Sequence, residues 1–321
     1  MDGFAAVVAV YPKPIRDLNW TRLDDSGGLS GAVLWRGDLS TRPLFCAKRN
    51  PPSADASALN QRQHWLKLAA RAKLEFVPRL LPASNGDTLV RHNLHGWEIS
   101  DWIRGEADFR DWPSRAKLFA ACDAVLRLLA AWRNLAAPNE PSRAVRNRLA
   151  LFAEWEANPV LHSALVPSTH DRVRAVIARH LDRATARLRP WADRPLPCQP
   201  CVRDLRHDHF LFEGEELTGL IDYGCTDWDT PATDAARMLG ELAGDRPDLY
   251  ESGIARFAER LGVAGFPPEL VRALDLAGTV GSVIHWLDRL RHGPTASGRM
   301  AGIECRVIEL VERLENGFGW S

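Results

Sequence analysis

The sequence has few cysteines and no long apolar run, and each shortage excludes a class of protein. Six cysteines are spread over 321 residues, which is too few and too scattered for a disulfide framework and favours free thiols. No stretch of 18 uncharged apolar residues occurs, so we expect no membrane span. The opening stretch MDGFAAVVAVYPKP is only briefly apolar and has no basic start, which argues against a signal peptide. We therefore expect a cytoplasmic protein.

The sequence also lacks an excess of charge of either sign. Lys and Arg together number 41, as do Asp and Glu, and the formal net charge is zero. The basic footprint of a nucleic-acid binder and the polybasic run of a membrane-surface protein are both missing. We expect neither nucleic acid nor membrane as a partner, and the sequence does not predict an oligomeric state.

Apolar residues are present in the proportion that a large core needs. Hydrophobic residues make up 45% of the chain, and a chain of this length is expected to form two lobes that share a cleft. The first hundred residues predict mainly strands, with a hairpin within residues 32–48 and a helix at 54–75. Most of the remainder predicts helices, apart from an irregular segment that begins at Pro195 and Pro197.

This order of elements predicts an α+β fold with two lobes, as in protein kinases. The boundary is expected near Gly105, which gives a small β-rich N-terminal lobe over residues 1–104 and a larger α-helical C-terminal lobe over residues 105–321. Architecture alone does not identify a function.

Two acidic residues in the second half have the spacing that phosphoryl transfer requires. Asp204 precedes a polar loop, and Asp222 ends an apolar strand in the string Asp-Tyr-Gly. Phosphoryl transfer uses one carboxylate to accept the proton of the attacking hydroxyl and a second to hold the metal ion at the phosphates. The kinase pattern has an Asn five positions after the first Asp, where this sequence has His209. Asp204 is predicted as the base and Asp222 as the metal ligand. For His209 three roles stay open: a metal ligand, a hydrogen-bond donor to a phosphate, or a histidine packed within the loop.

The same segment resembles the aminoglycoside phosphotransferase and choline-kinase-like family. The similarity is greatest to uncharacterised bacterial members whose loop reads Arg-Asp-x-x-His-Asp-His, and it extends to the segments near Gly27–Gly31, Cys46–Arg49 and Trp97–Gly105. The resemblance implies a kinase-like fold, ATP with Mg²⁺, and a small-molecule acceptor that carries a hydroxyl or an amine. Mn²⁺ is the alternative metal, because an imidazole ligand suits later transition metals better than Mg²⁺.

The resemblance also implies which residues bind the nucleotide. A glycine loop covers the phosphates, a lysine on the following strand contacts them, and the segment Trp97–Arg104 between the lobes holds the adenine through its backbone. These residues are Gly27, Gly28, Gly31, Lys48, Trp97 and Ile99.

Three departures from the family pattern leave alternatives open. Val202 replaces the usual His, His209 replaces the usual Asn, and the helix at 54–75 has acids only at its ends, Asp55 and Glu75, so no Glu is well placed to pair with Lys48. A pseudokinase that binds nucleotide without transferring phosphate is therefore the main alternative. A protein kinase is a weaker one, because no Ala-Pro-Glu segment follows Asp222.

A zinc site is a further alternative. Cys198 and Cys201 have Cys-x-x-Cys spacing, with His207 and His209 close by. The interval from Cys201 to His207 is too short for a zinc-finger unit, so we expect two structural thiols.

Overall fold

The computed structural model describes residues 3–23, 31–135, 137–262, 266–291 and 300–316. Its strands are β1 (Asn19–Leu23), β2 (Val33–Leu39), β3 (Arg42–Arg49), β4 (Val90–His92), β5 (His95–Asp101), β6 (Ala137–Pro141), β7 (Pro195–Cys201), β8 (Phe210–Glu213), β9 (Glu216–Leu220) and β10 (Asp227–Asp229). Its helices are α1 (Phe4–Val8), α2 (Lys13–Arg16), α3 (Ala56–Arg71), α4 (Arg115–Trp132), α5 (Arg143–Ala157), α6 (Pro167–Leu188), α7 (Pro231–Ala243), α8 (Pro247–Leu261), α9 (Pro268–Arg291) and α10 (Met300–Asn316).

The chain divides into two compact units that differ from the predicted domains. The first comprises Met1–Asp108 and Asp208–Gly224, and the second comprises Phe109–His207 and Cys225–Ser321. The predicted boundary at 104/105 thus falls slightly early, and the segment Asp208–Gly224 belongs to the first unit, not the C-terminal one. Backbone bonds explain this, because Glu106 and Phe212 exchange two N–H···O=C bonds of 2.9 Å.

The first unit is built on a five-stranded antiparallel sheet in the order β1-β2-β3-β5-β4. The predicted hairpin is confirmed as β2 and β3, and the predicted helix as α3, whose N-terminus is capped by the Asp55 carboxylate accepting from Ser57 and Ala58 N–H groups. Apolar side chains from the sheet and the preceding segments form its core: Val7, Tyr11, Ile15, Trp35, Ala47, Ala83, Trp97 and Ile99. The hairpin β8–β9 completes the unit.

The second unit is mainly helical, as predicted, and α9 lies at its centre. Fourteen residues of α9 are buried along its length, and it packs against helices α5, α6, α7, α8 and α10. Because nearly every face of α9 is covered, its sequence is apolar all round, as expected of a central helix.

The segment that begins at Pro195 was predicted to be irregular, and this prediction is wrong. It forms β7, the middle strand of a three-stranded antiparallel sheet in the order β10-β7-β6. Pro195 and Pro197 are two residues apart, so their missing N–H groups face the same side of the strand, and hydrogen bonds on the other side are retained.

Within the described ranges, no helix is both long enough and apolar enough to cross a membrane.

Candidate active site

Lys48 and Asp222 form an ion pair in the first unit. Lys48 lies on β3, and its Nζ donates to Oδ1 of Asp222 at 3.3 Å. Asp222 follows β9 and has a φ of 58°, the left-handed region that few residues other than glycine adopt. The same Oδ1 accepts the backbone N–H of Gly224 at 3.1 Å. The Asp-Tyr-Gly turn therefore holds its own carboxylate in a fixed orientation towards the lysine.

The electrostatic environment keeps Asp222 ionised. Burial raises the pKa of this carboxyl group, but Lys48, His209 and the Gly224 N–H together stabilise the carboxylate and lower the pKa to about 2. Its side chain is nevertheless 45% exposed. An accessible carboxylate that never takes up a proton near neutral pH is what a hard cation such as Mg²⁺ requires.

His209 lies between two carboxylates of the first unit. It ends a single turn of 3-10 helix, and its backbone carbonyl accepts the N–H of Ile221 at 3.0 Å, which ties it to the residue before Asp222. Its Nε2 is 3.9 Å from Oδ2 of Asp222 and 3.8 Å from Oδ1 of Asp208. Sequence reasoning did not select Asp208, although it sits one position before the predicted ligand.

The residues present fit a metal ion whose ligands come mainly from nucleotide phosphates and water. Among the described residues, no group of three or more His, Cys, Asp or Glu side chains is arranged to hold a metal ion alone. Mg²⁺ in kinases is bound by one or two protein side chains together with phosphate oxygens and water, and Asp222 with His209 meets that limited requirement. Both assignments stay predictions.

The glycine loop can be assessed at one position only. Gly27 and Gly28 lie outside the described residues. Gly31 has a φ of 77°, and a side chain there would meet only Pro51, at 3.9 Å. The conformation demands glycine, and its contact with phosphates stays a prediction.

The side chains of Trp97 and Ile99 lie inside the sheet core. Trp97 is 1% exposed and its ring centre lies 5.2 Å from that of Trp35, while Ile99 is completely buried and its carbonyl accepts the Leu81 N–H at 2.8 Å. Alternation along β5 puts both side chains on the same inner face. Side-chain burial does not test a contact made through the backbone, so adenine binding by the segment Trp97–Arg104 stays a prediction.

Glu98 lies on β5 directly opposite Lys48 in the sheet register, but its described partners come from α3. Arg62 donates to both of its carboxylate oxygens at 2.8 Å, and Gln63 donates to one at 3.0 Å. The family pattern led us to expect a glutamate on the helix. Here the helix carries the basic residue Arg62 and the strand carries the acidic residue Glu98. A Glu inside the apolar run Gly-Trp-Glu-Ile was the signal that could have revealed it, because a buried carboxylate needs a cationic partner.

Asp204 is oriented by an arginine of the second unit. Nε and Nη2 of Arg237, on α7, donate to its Oδ1 at 3.2 and 2.9 Å. One third of the Asp204 side chain remains exposed. The pair fixes the carboxylate while leaving it accessible from one side.

The loop that carries Asp204 is held by Asp234. The two carboxylate oxygens of this buried residue accept the N–H groups of Val202 at 2.9 Å and Arg203 at 2.6 Å. Arg203 has a φ of 68°, an unfavourable conformation that these bonds stabilise. Burial raises the pKa of Asp234 to about 7, although the two N–H groups oppose the shift. Val202, which replaces the usual His, is fully buried and contributes its backbone to this arrangement.

Glu241 accepts hydrogen bonds from a cluster of basic side chains, one of which, Arg237, also binds Asp204. Its carboxylate accepts from Arg237 at 3.0 Å, from His207 at 3.2 Å, and from Arg306 on α10. Burial raises its pKa, but the charges of Arg237, Arg306 and Arg313 and the hydrogen bond to His207 outweigh burial and hold the pKa well below the ordinary value. Asp234, Arg237 and Glu241 follow one another at intervals of three and four along α7, so they share one face. That polar stripe in an otherwise apolar helix was the sequence signal for all three.

Asp204 also faces a cavity of about 330 Å³ within the second unit. Helices α5, α7, α9 and α10 contribute to its wall, together with the loop after β7. Four arginines line it, and Asp204 is the only carboxylate among its described lining residues. Trp286, which sequence reasoning considered as a pocket residue, lies in this wall, whereas Trp228 does not.

The two cysteines considered for zinc are engaged with the backbone. The Cys198 thiol lies 3.6 Å from the carbonyl of Glu140, and the Cys201 thiol lies 3.3 Å from the carbonyl of Asp229. Burial raises the pKa of both thiols, which disfavours the thiolate that zinc binds. The geometry supports structural thiols.

Comparison with known proteins gives the family. The sequence model of the phosphotransferase enzyme family matches residues 23–274. The chain therefore belongs to this family, and the predicted class of enzyme, a kinase that acts on hydroxyl acceptors, is confirmed at that level. No curated protein matches the chain.

Solved structures with similar folds include antibiotic kinases. A spectinomycin phosphotransferase in complex with ADP and spectinomycin superposes with a TM-score of 0.69 over 93% of each chain, at 10% identity. An aminoglycoside phosphotransferase from Alicyclobacillus acidocaldarius gives a TM-score of 0.61 over 97% of this chain and 92% of that one, at 15% identity. An amicoumacin kinase in complex with AMP-PNP and Ca²⁺ gives 0.62 over 98% and 92%, at 10% identity. These similarities confirm the predicted kinase-like fold.

Proposed function

We propose that this chain is an ATP-dependent kinase that transfers the γ-phosphoryl group to a hydroxyl of a small molecule. Family membership supports the reaction class, and the ADP and AMP-PNP in similar structures support an adenine nucleotide as donor. The observation that carries the proposal is Asp204, an oriented and accessible carboxylate on the wall of a cavity large enough for a small acceptor.

Asp204 is the proposed base of the reaction. The acceptor hydroxyl forms a bond to the γ-phosphorus, the bond from that phosphorus to the β–γ bridging oxygen breaks, ADP leaves, and the hydroxyl proton passes to Asp204. Arg237 positions the carboxylate for this transfer, and Asp234 positions the loop. Neither residue needs to touch the acceptor for these roles.

Lys48 and Asp222 are proposed to act on the nucleotide. Asp222, with His209 beside it, would hold a divalent metal, which neutralises the charge of the phosphates. The Lys48 ammonium group lies 3.3 Å from Asp222, so it contacts the same phosphates in the proposed complex. Gly27, Gly28 and Gly31 are proposed to cover them, and the backbone of the segment Trp97–Arg104 to contact adenine.

Variants of Asp204 and Asp222 test the proposal directly, because the two residues are assigned different roles. Asp204→Asn keeps the size of the side chain but removes the base, so turnover should fall by at least about a hundredfold with nucleotide binding unchanged. Asp222→Ala should weaken binding of the metal–nucleotide complex itself. Calorimetry with a non-hydrolysable ATP analogue and an ADP-release assay over a hydroxyl-acceptor panel measure the two effects.

The opposite pattern would contradict these roles: loss of nucleotide binding in Asp204→Asn with normal binding in Asp222→Ala. The pseudokinase alternative makes a different prediction, namely tight nucleotide binding by the wild type with no ADP release for any acceptor. The features that favour this alternative are Val202 and His209, which replace the usual His and Asn of the catalytic loop.

A further inference from the structure

The cavity beside Asp204 is lined by an unusual excess of positive charge. Four of its lining residues are arginines from three helices and one loop: Arg148 on α5, Arg206 after β7, Arg237 on α7 and Arg306 on α10. Arg237 and Arg306 share the Glu241 carboxylate, Arg237 also binds Asp204, and Arg306 also pairs with Glu309 at 3.0 Å. Three carboxylates therefore hold these two arginines.

Arg148 has no such partner among the described residues. Its one described hydrogen bond runs from Nη1 to the backbone carbonyl of Ala144, at 3.1 Å. The nearby carboxylate of Asp229 is occupied by Ser142 Oγ and by the N–H groups of Ala144 and Thr230. Burial lowers the pKa of Arg148 to about 10; the like charges of Arg203 and Arg237 add to this shift and the carboxylates of Asp229 and Asp275 oppose it, so the group is still protonated at neutral pH. A half-buried guanidinium that forms no direct ion pair among the described residues is costly, and an anionic ligand would offset that cost.

Helix α9 contributes small residues to the cavity wall. Gly278, Gly281 and Ser282 are among the residues that line it. A side chain at Gly278 would come within 3.2 Å of Nη2 of Arg148, and one at Gly281 within 3.3 Å of Leu151. These small residues keep Arg148 accessible from the cavity. Trp286 adds an aromatic surface, with the Arg289 guanidinium 5.2 Å from its ring centre.

We propose that the acceptor phosphorylated by this kinase is an anion, a small hydroxyl compound that carries a carboxylate or a phosphate group bound by Arg148 and Arg306. Arg148 supplies a guanidinium with no described direct ion pair, and such a group binds both anion types through paired N–H donors. Asp204 on the same wall receives the proton of the hydroxyl. The acceptor class rests on the proposed function, but the anion site does not.

Two measurements test the proposal separately from kinase activity. The first is titration of inorganic phosphate into the Lys48→Gln variant, which removes a competing phosphate contact at the nucleotide site. Arg148→Gln in this background should weaken phosphate binding by at least about tenfold, and Arg148→Lys should restore part of it. Arg146→Gln is the matched control, because Arg146 is an exposed arginine on the same helix that bonds the Ala192 carbonyl instead of lining the cavity.

Equal phosphate binding with and without Arg148→Gln would overturn the anion site, as would no binding by either. If the Arg148 variant does not fold, Arg306→Gln should weaken phosphate binding in the same titration and so tests the same site. The second measurement is ADP release with acceptors matched in size, comparing gluconate and glucose 6-phosphate with glucose and glucosamine. Higher kcat/KM for the anions, lost in Arg148→Gln, supports the proposal. Preference for the neutral or cationic acceptor overturns it. ADP release with none of them counts against the proposed function, and the phosphate titration still decides the anion site.

Discussion

Replacing Asp234 with asparagine should change both the stability of the protein and its dependence on pH. The carboxylate accepts two backbone N–H groups, at 2.9 and 2.6 Å, and is 1% exposed. At pH 5 the Asp234 carboxyl is protonated, but both of its oxygens still have lone pairs that can accept the two N–H groups, whereas asparagine offers one carbonyl oxygen and an NH₂ that cannot accept. One buried N–H group therefore loses its acceptor, and an unsatisfied buried donor costs about 1–3 kcal/mol. We expect a loss of that size near pH 5.

The pH dependence follows from the raised pKa. The pKa of Asp234 is about 7 in the folded chain, against 3.8 for an ordinary aspartate. The folded state therefore binds more protons than the unfolded state between these values, and the contribution of this group to stability falls as the pH rises through that window. Between pH 5 and pH 8 the linkage amounts to roughly 2–3 kcal/mol. Asparagine does not titrate, so the variant should approach or exceed the wild type in stability at pH 8.

Denaturant unfolding of both proteins at pH 5, 6, 7 and 8 measures this effect. The free-energy difference between variant and wild type should shrink steadily with rising pH. Activity gives an independent reading, because a displaced loop should lower kcat while leaving nucleotide affinity unchanged. A stability difference that stays constant from pH 5 to pH 8 would refute the reasoning.

Two further predictions concern the first unit. If His209 is a metal ligand, the wild type should prefer Mn²⁺ over Mg²⁺, whereas His209→Asn should prefer Mg²⁺, and activity assays with each metal measure this. An unchanged metal preference would exclude ligation. Glu98→Ala should destabilise the unit by about 3–5 kcal/mol because Arg62 is left buried and unpaired, and chemical denaturation measures this. The double variant Glu98→Leu with Arg62→Met should lose less, and an equal or greater loss would show that the ion pair is not responsible.

The predicted site residues rest on two kinds of sequence signal. Asp204 and Asp222 were selected because phosphoryl transfer fixes their residue type and their spacing around a hairpin, and the hairpin β8–β9 does lie between them. Trp97 and Ile99 were selected from the position of their segment in the chain. Strand alternation puts both on the inner face of β5, and which face is inner depends on what packs against the sheet.

Sequence patterns alone were enough to predict a mainly β N-terminal part, a mainly helical remainder, the family, and Asp204 and Asp222 as candidate residues, because these depend on periodicity and on spacing over short stretches of chain; the strand Pro195–Cys201 was missed. Which charged side chains contact each other was decided by the tertiary structure. Arg62 meets Glu98 from 36 positions away, and Asp234 supports a loop more than 30 positions earlier. Arg148 and Arg306 reach one cavity from α5 and α10. Such contacts arise when separate elements pack together and bury their charges, and no local pattern specifies which charges will then face each other.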